Sequence, residues 1–391
     1  MWLSDFTLVL ADRIVPHGSL RIEGMEIAEV VDHPVPGGIP GAGSTLMPGF
    51  IDMHGDMIEV ELQPRAKVNF PVQVAIGHLD SRLAAAGVTT AYAAVSFSRG
   101  AADGGLRSLE HTSQTIRDIH AARQGCGVDH RIHARFDITF DNAVGVLGDL
   151  LRDDMLDLVS VMDHTPGQGQ YRDLERYIAE IAADNDISPE EARAVVQERI
   201  ARQTRPHEMT LSNLQAVSEL CQRHDVTLAS HDDDTAEKTN LMADIGAMIS
   251  EFPVTMEAAE VAASRGLMNA MGAPNAMRGE SYSGNLSARK AHAAGLLHIL
   301  AADYHPAAIL PALRVLAETD PEGLPGAVRL VSVNPATVLG LTDRGQIAPG
   351  TSADLVVVAP GDRVAATLRQ GRIIYSNGAL HGLAEGTRAV A

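Results

Sequence analysis

Met47-Pro48-Gly49-Phe50-Ile51-Asp52-Met53-His54-Gly55-Asp56 is an apolar run that ends in a His-x-Asp pair. In a strand, residues i and i+2 point to the same side, so His54 and Asp56 converge if the chain stays extended past Phe50. An imidazole and a carboxylate one residue apart are ligand types for a divalent ion, and barrel enzymes keep their chemistry at strand ends of this kind. Taken alone, the pair reads more readily as two polar residues closing an ordinary strand. The rest of the chain decides between these readings.

Outward from this stretch, apolar strands alternate with helical segments, the signature of a parallel α/β fold. Eight candidate strands can be placed: 49–54, 88–95, 131–139, 158–163, 226–230, 249–255, 267–272 and 297–302. Between them, patterns such as Met209-x-Leu211-x-x-Leu214-x-x-Val217-x-x-Leu220 carry apolar residues at helical spacing. Eight is the count of a (β/α)8 TIM-type barrel, here expected over 48–342, with a charged helical insertion near 166–206 that reads equally as a cover over its mouth or as a plain surface hairpin. Both ends of the chain read differently, as short strands broken by Gly and Pro: 6–10, 19–23 and 25–31 at the start, and 354–358, 364–368 and 371–375 at the finish. They predict one small β-sandwich domain assembled from residues 1–47 and 343–391. No repeat of 20 to 50 residues is visible, which disfavours solenoids and propellers.

The bulk composition agrees with this size and class. A chain of 391 residues, 45% hydrophobic and 21% charged, can bury a large core and fits a barrel of about 250 residues plus a smaller module. Fifty acidic against 31 basic residues leave a formal charge of −19, which argues against nucleic acid as the main partner. Any polyanionic substrate must then be drawn in by local cations against the overall field. The start of the chain lacks a basic n-region, and no apolar stretch approaches the roughly 20 residues of a membrane span, so a cytoplasmic protein is expected, not a membrane one. Cys126 and Cys221 are the only cysteines. Without a Cys-x-x-Cys arrangement they read as core or near-core residues.

Placed on the barrel, the polar residues cluster just past the strand ends. The first strand yields His54 and Asp56; the third, Asp137; the fourth, Asp163 and His164; the fifth, His231 through Asp234; the eighth, Asp303. Mixed nitrogen and oxygen ligands suit Zn²⁺, Mn²⁺ or Fe²⁺. The expected ligand set is His54, Asp56, Asp137, His164, His231 and Asp303, holding one or two divalent ions, with Asp137 the candidate to bridge two. Metal-bound water can ionise near neutral pH, and a nearby carboxylate can take its proton, a role assigned to Asp303.

The seventh strand opens into Gly272-Ala273-Pro274-Asn275-Ala276-Met277-Arg278-Gly279-Glu280-Ser281-Tyr282-Ser283-Gly284-Asn285. This loop of glycines, hydroxyls and amides precedes a helix for which Asn285 or Ser287 can serve as N-cap; by composition alone it reads first as a capped structural turn, and by its place at a barrel strand end it also suits phosphate oxygens. Asn275, Arg278, Ser281, Ser283 and Asn285 are its expected substrate contacts. Asp232 and the cations Arg65 and Lys67 are further candidates, and Asp234 is expected to cap the helix starting near Thr235.

Pro48-Gly49-Phe50-Ile51-Asp52-x-His54, together with Gly345-Gln346-Ile347-Ala348-Pro349-Gly350-x-x-Ala353-Asp354-Leu355-Val356, resembles the amidohydrolase superfamily. The resemblance implies a metal-bearing barrel with a small β domain built from both ends. His54-x-Asp56 in place of the commoner His-x-His is a narrower mark. So are Val161-Met162-Asp163-His164-Thr165-Pro166-Gly167-Gln168, Ser230-His231-Asp232-Asp233, Glu251-Phe252-Pro253-x-Thr255-x-Glu257-Ala258-Ala259, Met271-Gly272-Ala273-Pro274-Asn275-x-x-Arg278-Gly279 and Ser283-Gly284-Asn285. These resemble the triphosphate hydrolases of the carbon–phosphorus lyase pathway, over about residues 48–311.

That group implies hydrolysis of α-D-ribose 1-methylphosphonate 5-triphosphate to the 5-phosphate and pyrophosphate, by metal-activated attack of water on the α-phosphorus. The implied partner is a small polyphosphate molecule, with self-association left open. Divalent ions with Arg65, Lys67 and Arg278 would offset its charge. The chain departs from the group at Asp137, where Glu is usual, at Gly55 and Met57, where Thr and Asn are common, and at Tyr282, where His is usual. Two other readings compete: an amidohydrolase cleaving a C–N bond, as a deacetylase or deaminase does, and a catalytically silent scaffold in a phosphonate-processing assembly.

Overall fold

At Pro48 and Gly49 the chain passes from one architecture into another. A Cβ on Gly49 would lie 2.3 Å from the Thr89 hydroxyl, so only glycine lets the backbone enter the barrel there. The computed structural model describes residues 1–65, 68–97, 109–139, 143–281 and 283–380.

Before this point lie β1 (Trp2–Val9), β2 (Ile14–Glu23), β3 (Glu26–Val31), β4 (Ile39–Pro40) and β5 (Thr45–Pro48). After it come the barrel strands β6 (Phe50–Gly55), β7 (Val88–Phe97), β8 (Asp129–Asp137), β9 (Leu158–Met162), β10 (Thr227–His231), β11 (Ile249–Glu251), β12 (Met268–Gly272) and β13 (Ile299–Ala301). The chain then returns to the first sheet as β14 (Leu355–Ala359), β15 (Arg363–Arg369) and β16 (Arg372–Ser376).

The terminal strands form one mixed sheet in the order β16-β15-β14-β5-β1-β2-β3, with β4 on β1. Its two halves, one from each end of the chain, join where β5 pairs antiparallel with β14. Leu3, Phe6, Leu8, Leu20, Ile22, Leu355, Val357 and Leu368 point into a core separate from that of the barrel, with an irregularity in β1 between Leu3 and Phe6.

The barrel strands pair in parallel, in chain order from β6 to β13. The circle closes at a bridge between Gly55 and Asp303, where Asp303 N–H donates to His54 C=O and Asp56 N–H donates to Asp303 C=O, both at 2.9 Å. Asp52 helps the closure, its carboxylate accepting the Ala302 N–H at 2.8 Å. Seven of the eight strands contribute to an apolar plug inside the barrel, through Met53, Tyr92, Leu158, Ala229, Ile249, Ala270, Ile299 and Ala301. Such an interior is filled, which confines a ligand site to the strand ends above it.

Eight strands occur where the sequence places them, with one instructive shortening. The run 249–255 is extended only to Glu251, because Phe252 turns into the left-handed region at φ +53° and Pro253 has no N–H to donate. Thr255 is freed to cap the helix Met256–Ser264 by accepting the Ala258 N–H. Helix starts differ in two further details. Thr235, not Asp234, caps the helix Ala236–Asp244, while Asp234 accepts the Gly169 N–H. Ser287 holds the N-cap position of Ala288–Ala293, but Asn275 accepts the Ala288 N–H in its place.

The long connection between β9 and β10 carries helices Leu174–Asn185 and Pro189–Gln203. They pack on a small core of Tyr177, Ile178, Ala192 and Val196. A capping box between Ser188 and Glu191, with Pro189 at the first helical position, starts the second helix sharply. Cys221 is buried, Cys126 is half-buried, and both are free thiols. Among the described residues no helix is long and apolar enough to cross a membrane.

Candidate active site

The strand ends of β6 and β8 to β13 surround a cavity of about 360 Å³. His54 reaches it from β6, and Asp56 from the turn after it, where the backbone has already left the extended conformation. His164, His231, Asp232 and Asp303 enter from the ends of β9, β10 and β13. Two groups of side chains place candidate ligand atoms within 4.8 Å of one another: His54 with His133 and Glu251, and His164 with His231 and Asp232.

Glu251 is the hub of the first group. Its carboxylate accepts a hydrogen bond from His231 Nδ1 at 3.0 Å, lies 3.3 Å from His54 Nδ1 and lies 3.6 Å from His133 Nε2. Burial would raise its pKa, but the surrounding imidazoles, His133 and His54 foremost, hold it well below the usual carboxylate range. His54 shows the complementary effect. Burial opposes its protonation, but the charges of Glu251 and Asp56 outweigh it and lift the imidazole to about 10. A proton there satisfies carboxylates that a metal cation would otherwise satisfy.

Arg135, on β8, occupies the centre of the site. Its guanidinium donates to Asp56 at 2.6 Å and stands 3.3 Å from His231 Nε2. Burial disfavours the charge, yet the neighbouring carboxylates, Asp56 first, keep it fully protonated. Asp56 is in turn held well below its ordinary value, with Arg135 and His54 overriding the effect of burial. Asp303 goes the other way: burial and then the Asp56 charge raise its carboxyl to about 7. Gly272 makes room for it, since a Cβ there would stand 2.6 Å from Asp303 Oδ2.

Backbone strain gathers at the same place. Asp232, Phe252 and Asp303 are non-glycine residues with φ of +53°, +53° and +59°, conformations that cost about 1–3 kcal/mol each and persist only where the surroundings hold them. At Phe252 the turn lays the ring edge-on against His54, with centroids 4.8 Å apart, and against His231 at 5.4 Å. These contacts fix both imidazole planes.

The residues present fit a divalent ion. His54 Nδ1, His164 Nε2, Asp232 Oδ2 and Glu251 Oε1 are buried and have no hydrogen-bond partner among the described residues. Buried polar atoms of this kind are costly unless something coordinates them. The third His/Cys/Asp group, Asp80 with Cys126 and His130, lies at the opposite end of the barrel and lacks this property. Asp80 accepts N–H groups of Val128 and Gly127, at 2.8 and 3.1 Å, and His130 Nε2 at 3.0 Å.

Of the side chains singled out from the sequence as ligands, His54, Asp56, His164, His231 and Asp303 line the cavity. Asp137 does not. It is buried, and its carboxylate is taken by the N–H and hydroxyl of Thr139 at 2.9 and 2.6 Å. Of the expected substrate contacts, Asp232, Asn275, Arg278, Ser281, Ser283 and Asn285 line it. Arg65 is exposed and is not among the lining residues. Lys67 and Tyr282 lie outside the described residues.

Sequence reading missed Arg135, His133 and Glu251 as site residues. A signal existed for the first two, because His133 and Arg135 alternate with Asp137 and share its face of β8. Glu251 pairs in register with His231 across β10 and β11, which no local pattern reveals.

A profile of the Amidohydrolase family matches residues 160–374. Over 385 residues the chain is 34% identical to alpha-D-ribose 1-methylphosphonate 5-triphosphate diphosphatase of Escherichia coli (strain K12), covering 96% of this chain and 100% of that protein. Among solved structures, a variant of N-acetyl-D-glucosamine-6-phosphate deacetylase from Mycobacterium smegmatis superposes with a TM-score of 0.65 at 16% identity, over 96% of this chain and 99% of that one. 5-Methylcytosine deaminase from Klebsiella pneumoniae gives 0.64 at 14% identity, over 96% and 98%. These two share the fold.

Proposed function

The chain belongs to the amidohydrolase family, and from that premise we propose that it is a metal-dependent diphosphatase of phosphonate catabolism. In this reading it hydrolyses α-D-ribose 1-methylphosphonate 5-triphosphate to the 5-phosphate and pyrophosphate, the reaction named for its E. coli relative. One observation carries the reading beyond the family. A single cavity joins a floor of unsatisfied His and carboxylate ligand atoms to a wall made by Asn275, Arg278, Ser281, Ser283 and Asn285. The floor suits a divalent cation, and the wall suits phosphate oxygens.

His54, Asp56, His164, His231 and Asp303 are the residues assigned to hold one or two ions of Zn²⁺, Mn²⁺ or Fe²⁺, with Glu251 orienting His54 and His231 from beneath. Such an ion, when bound, neutralises phosphate charge and makes water acidic enough to ionise near neutral pH. The protein's own groups do the rest. Asp303, at the cavity edge, takes the proton that the attacking water loses as its oxygen bonds to the α-phosphorus. The bond from that phosphorus to the bridging oxygen breaks, and pyrophosphate leaves with the electron pair. Arg135 holds Asp56 in place, while Arg278, the Ser281 and Ser283 hydroxyls and the Asn285 amide bind non-bridging oxygens; Asn275 supports this wall by donating to Leu286 C=O and accepting the Ala288 N–H.

The test is pyrophosphate release from the ribose 5-triphosphate substrate or a close analogue with added Mn²⁺ or Zn²⁺, using Asp303→Asn as control. Release well above the control is expected. No release above it, with turnover of an N-acyl or cyclic amide substrate instead, would overturn the reading in favour of C–N hydrolysis.

A further inference from the structure

The helical insertion between β9 and β10 contributes a guanidinium to the lining of the cavity. Arg199, on the helix Pro189–Gln203, lines the cavity together with Tyr171 at the start of the insertion. Its carbon Cζ stands over two rings, 5.7 Å from the Tyr171 centroid and 5.8 Å from that of Tyr177. The rings themselves pack at 4.3 Å, and Arg199 also donates to the Tyr177 hydroxyl and, at 3.4 Å, to Gln203 Oε1. Tyr171 in turn meets His164 at 6.2 Å between centroids, so one aromatic ring separates this cation from the candidate metal ligands.

What Arg199 lacks is a carboxylate. In a chain with 50 acidic and 31 basic residues, Arg199 has no ion-pair partner among the described residues. The same holds for Arg278, which lines the cavity from the segment after β12. Most arginines of this chain are spent on Asp or Glu, as Arg135, Arg193, Arg265 and Arg329 are. Two guanidinium groups from separate segments, both without an ion-pair partner among the described residues and both lining one cavity, are arranged for an anion. Arg199 is also pre-ordered. Its stacking and hydrogen bonds fix the plane of the fork before any ligand arrives, which lowers the entropy cost of a bidentate contact.

We propose that Arg199 and Arg278 together grip the terminal phosphates of the substrate, the part that leaves as pyrophosphate, with Arg199 supplied by the insertion. The proposal rests on the diphosphatase reading and adds to it the half of the site that holds the leaving group. The α-phosphorus must sit over the His and carboxylate floor to react, so the β- and γ-phosphates extend outward. Tyr171, Arg199 and Arg278 all line the cavity into which those phosphates would extend. The terminal phosphates carry the greatest charge density of the substrate and match two forked cations better than the ribose does.

Competitive inhibition by inorganic pyrophosphate, measured on the metal-loaded enzyme at fixed free metal, tests this directly. Arg199→Met is expected to raise the inhibition constant for pyrophosphate and the KM for the triphosphate by about ten-fold or more, with kcat changed by less than about three-fold. Arg199→Lys keeps the charge, loses the fork and should fall between the two. It also keeps the test valid if the methionine variant loosens the insertion. Pyrophosphate inhibition unchanged in both variants would overturn the role of Arg199 while leaving the diphosphatase reading intact. A wild-type enzyme that neither released pyrophosphate nor was inhibited by it would overturn both.

Discussion

At one end of the barrel Asp80, Cys126 and His130 bring a carboxylate, a thiol and an imidazole within 4.8 Å of one another; at the other, His164, His231 and Asp232 do the same with two imidazoles and a carboxylate. By residue type both groups are metal sites. At the first, Asp80 is satisfied by two backbone N–H groups and His130, and burial pushes the Cys126 thiol up to about 11, away from the thiolate a metal needs. At the second, His164 Nε2 and Asp232 Oδ2 are buried without a hydrogen-bond partner among the described residues. The contrast teaches that convergence of ligand types is not enough. A binding site is marked by polar atoms whose demands the fold leaves unmet.

The sharpest way to break this contrast is to remove one ligand at the unsatisfied end. His231→Ala should lower kcat/KM by several kcal/mol of transition-state stabilisation, on the order of 10³-fold, and empty the site of metal by elemental analysis. Retained metal and activity would show that the second group is as structural as the first. The next largest effect is expected at Arg135. Arg135→Met leaves Asp56, whose side chain is 34% exposed, without its cation, which should destabilise the metal-free protein by about 2–3 kcal/mol. Added divalent ion should restore the variant's melting temperature more than it raises that of the wild type. Equal metal-induced shifts would show that Arg135 and a bound cation do not serve the same carboxylates.

The smallest effect belongs to the satisfied end. Asp80→Asn should cost about 1–3 kcal/mol of stability and leave metal content and turnover unchanged. The pH dependence follows from the direction of the Asp80 shift. Burial opposes ionisation, but His130 and the Val128 and Gly127 N–H groups outweigh it and hold the folded carboxyl below its ordinary value of 3.8. Its stabilisation is therefore present above pH 3.8 and lost as pH falls through the lower folded value. The deficit of Asp80→Asn, measured by denaturant unfolding, should shrink below about pH 4. A deficit independent of pH would show that packing, not the ionised carboxylate, makes the contribution.

Much of the fold was legible because its signals are local. Most barrel strands are short apolar runs bounded by turn residues, and the His-x-Asp spacing at the end of β6 brings His54 and Asp56 to one cavity. The site was legible to the extent that its residues sit at the ends of those runs. Asp137 satisfied the same rule but turned inward to Thr139, two residues along, a local hydrogen bond that competes with any ligand role. Arg135 and Glu251 went unread for the opposite reason. A charged residue inside a strand looks misplaced until its partners on other strands are known, since only those partners make burying the charge tolerable.

By itself the sequence determined the parallel barrel, the sheet drawn from both termini and the family to which the chain belongs. These follow from period, punctuation and motif, all readable along the chain. The tertiary structure alone decided which polar groups meet and which are left wanting. It brought Glu251 beside His54 and His231, set Arg135 against Asp56 and placed Arg199 in the lining of the cavity. Those outcomes depend on distances between residues far apart in the chain. The energy of a buried charge is fixed by its nearest neighbours in space, and sequence order does not record them.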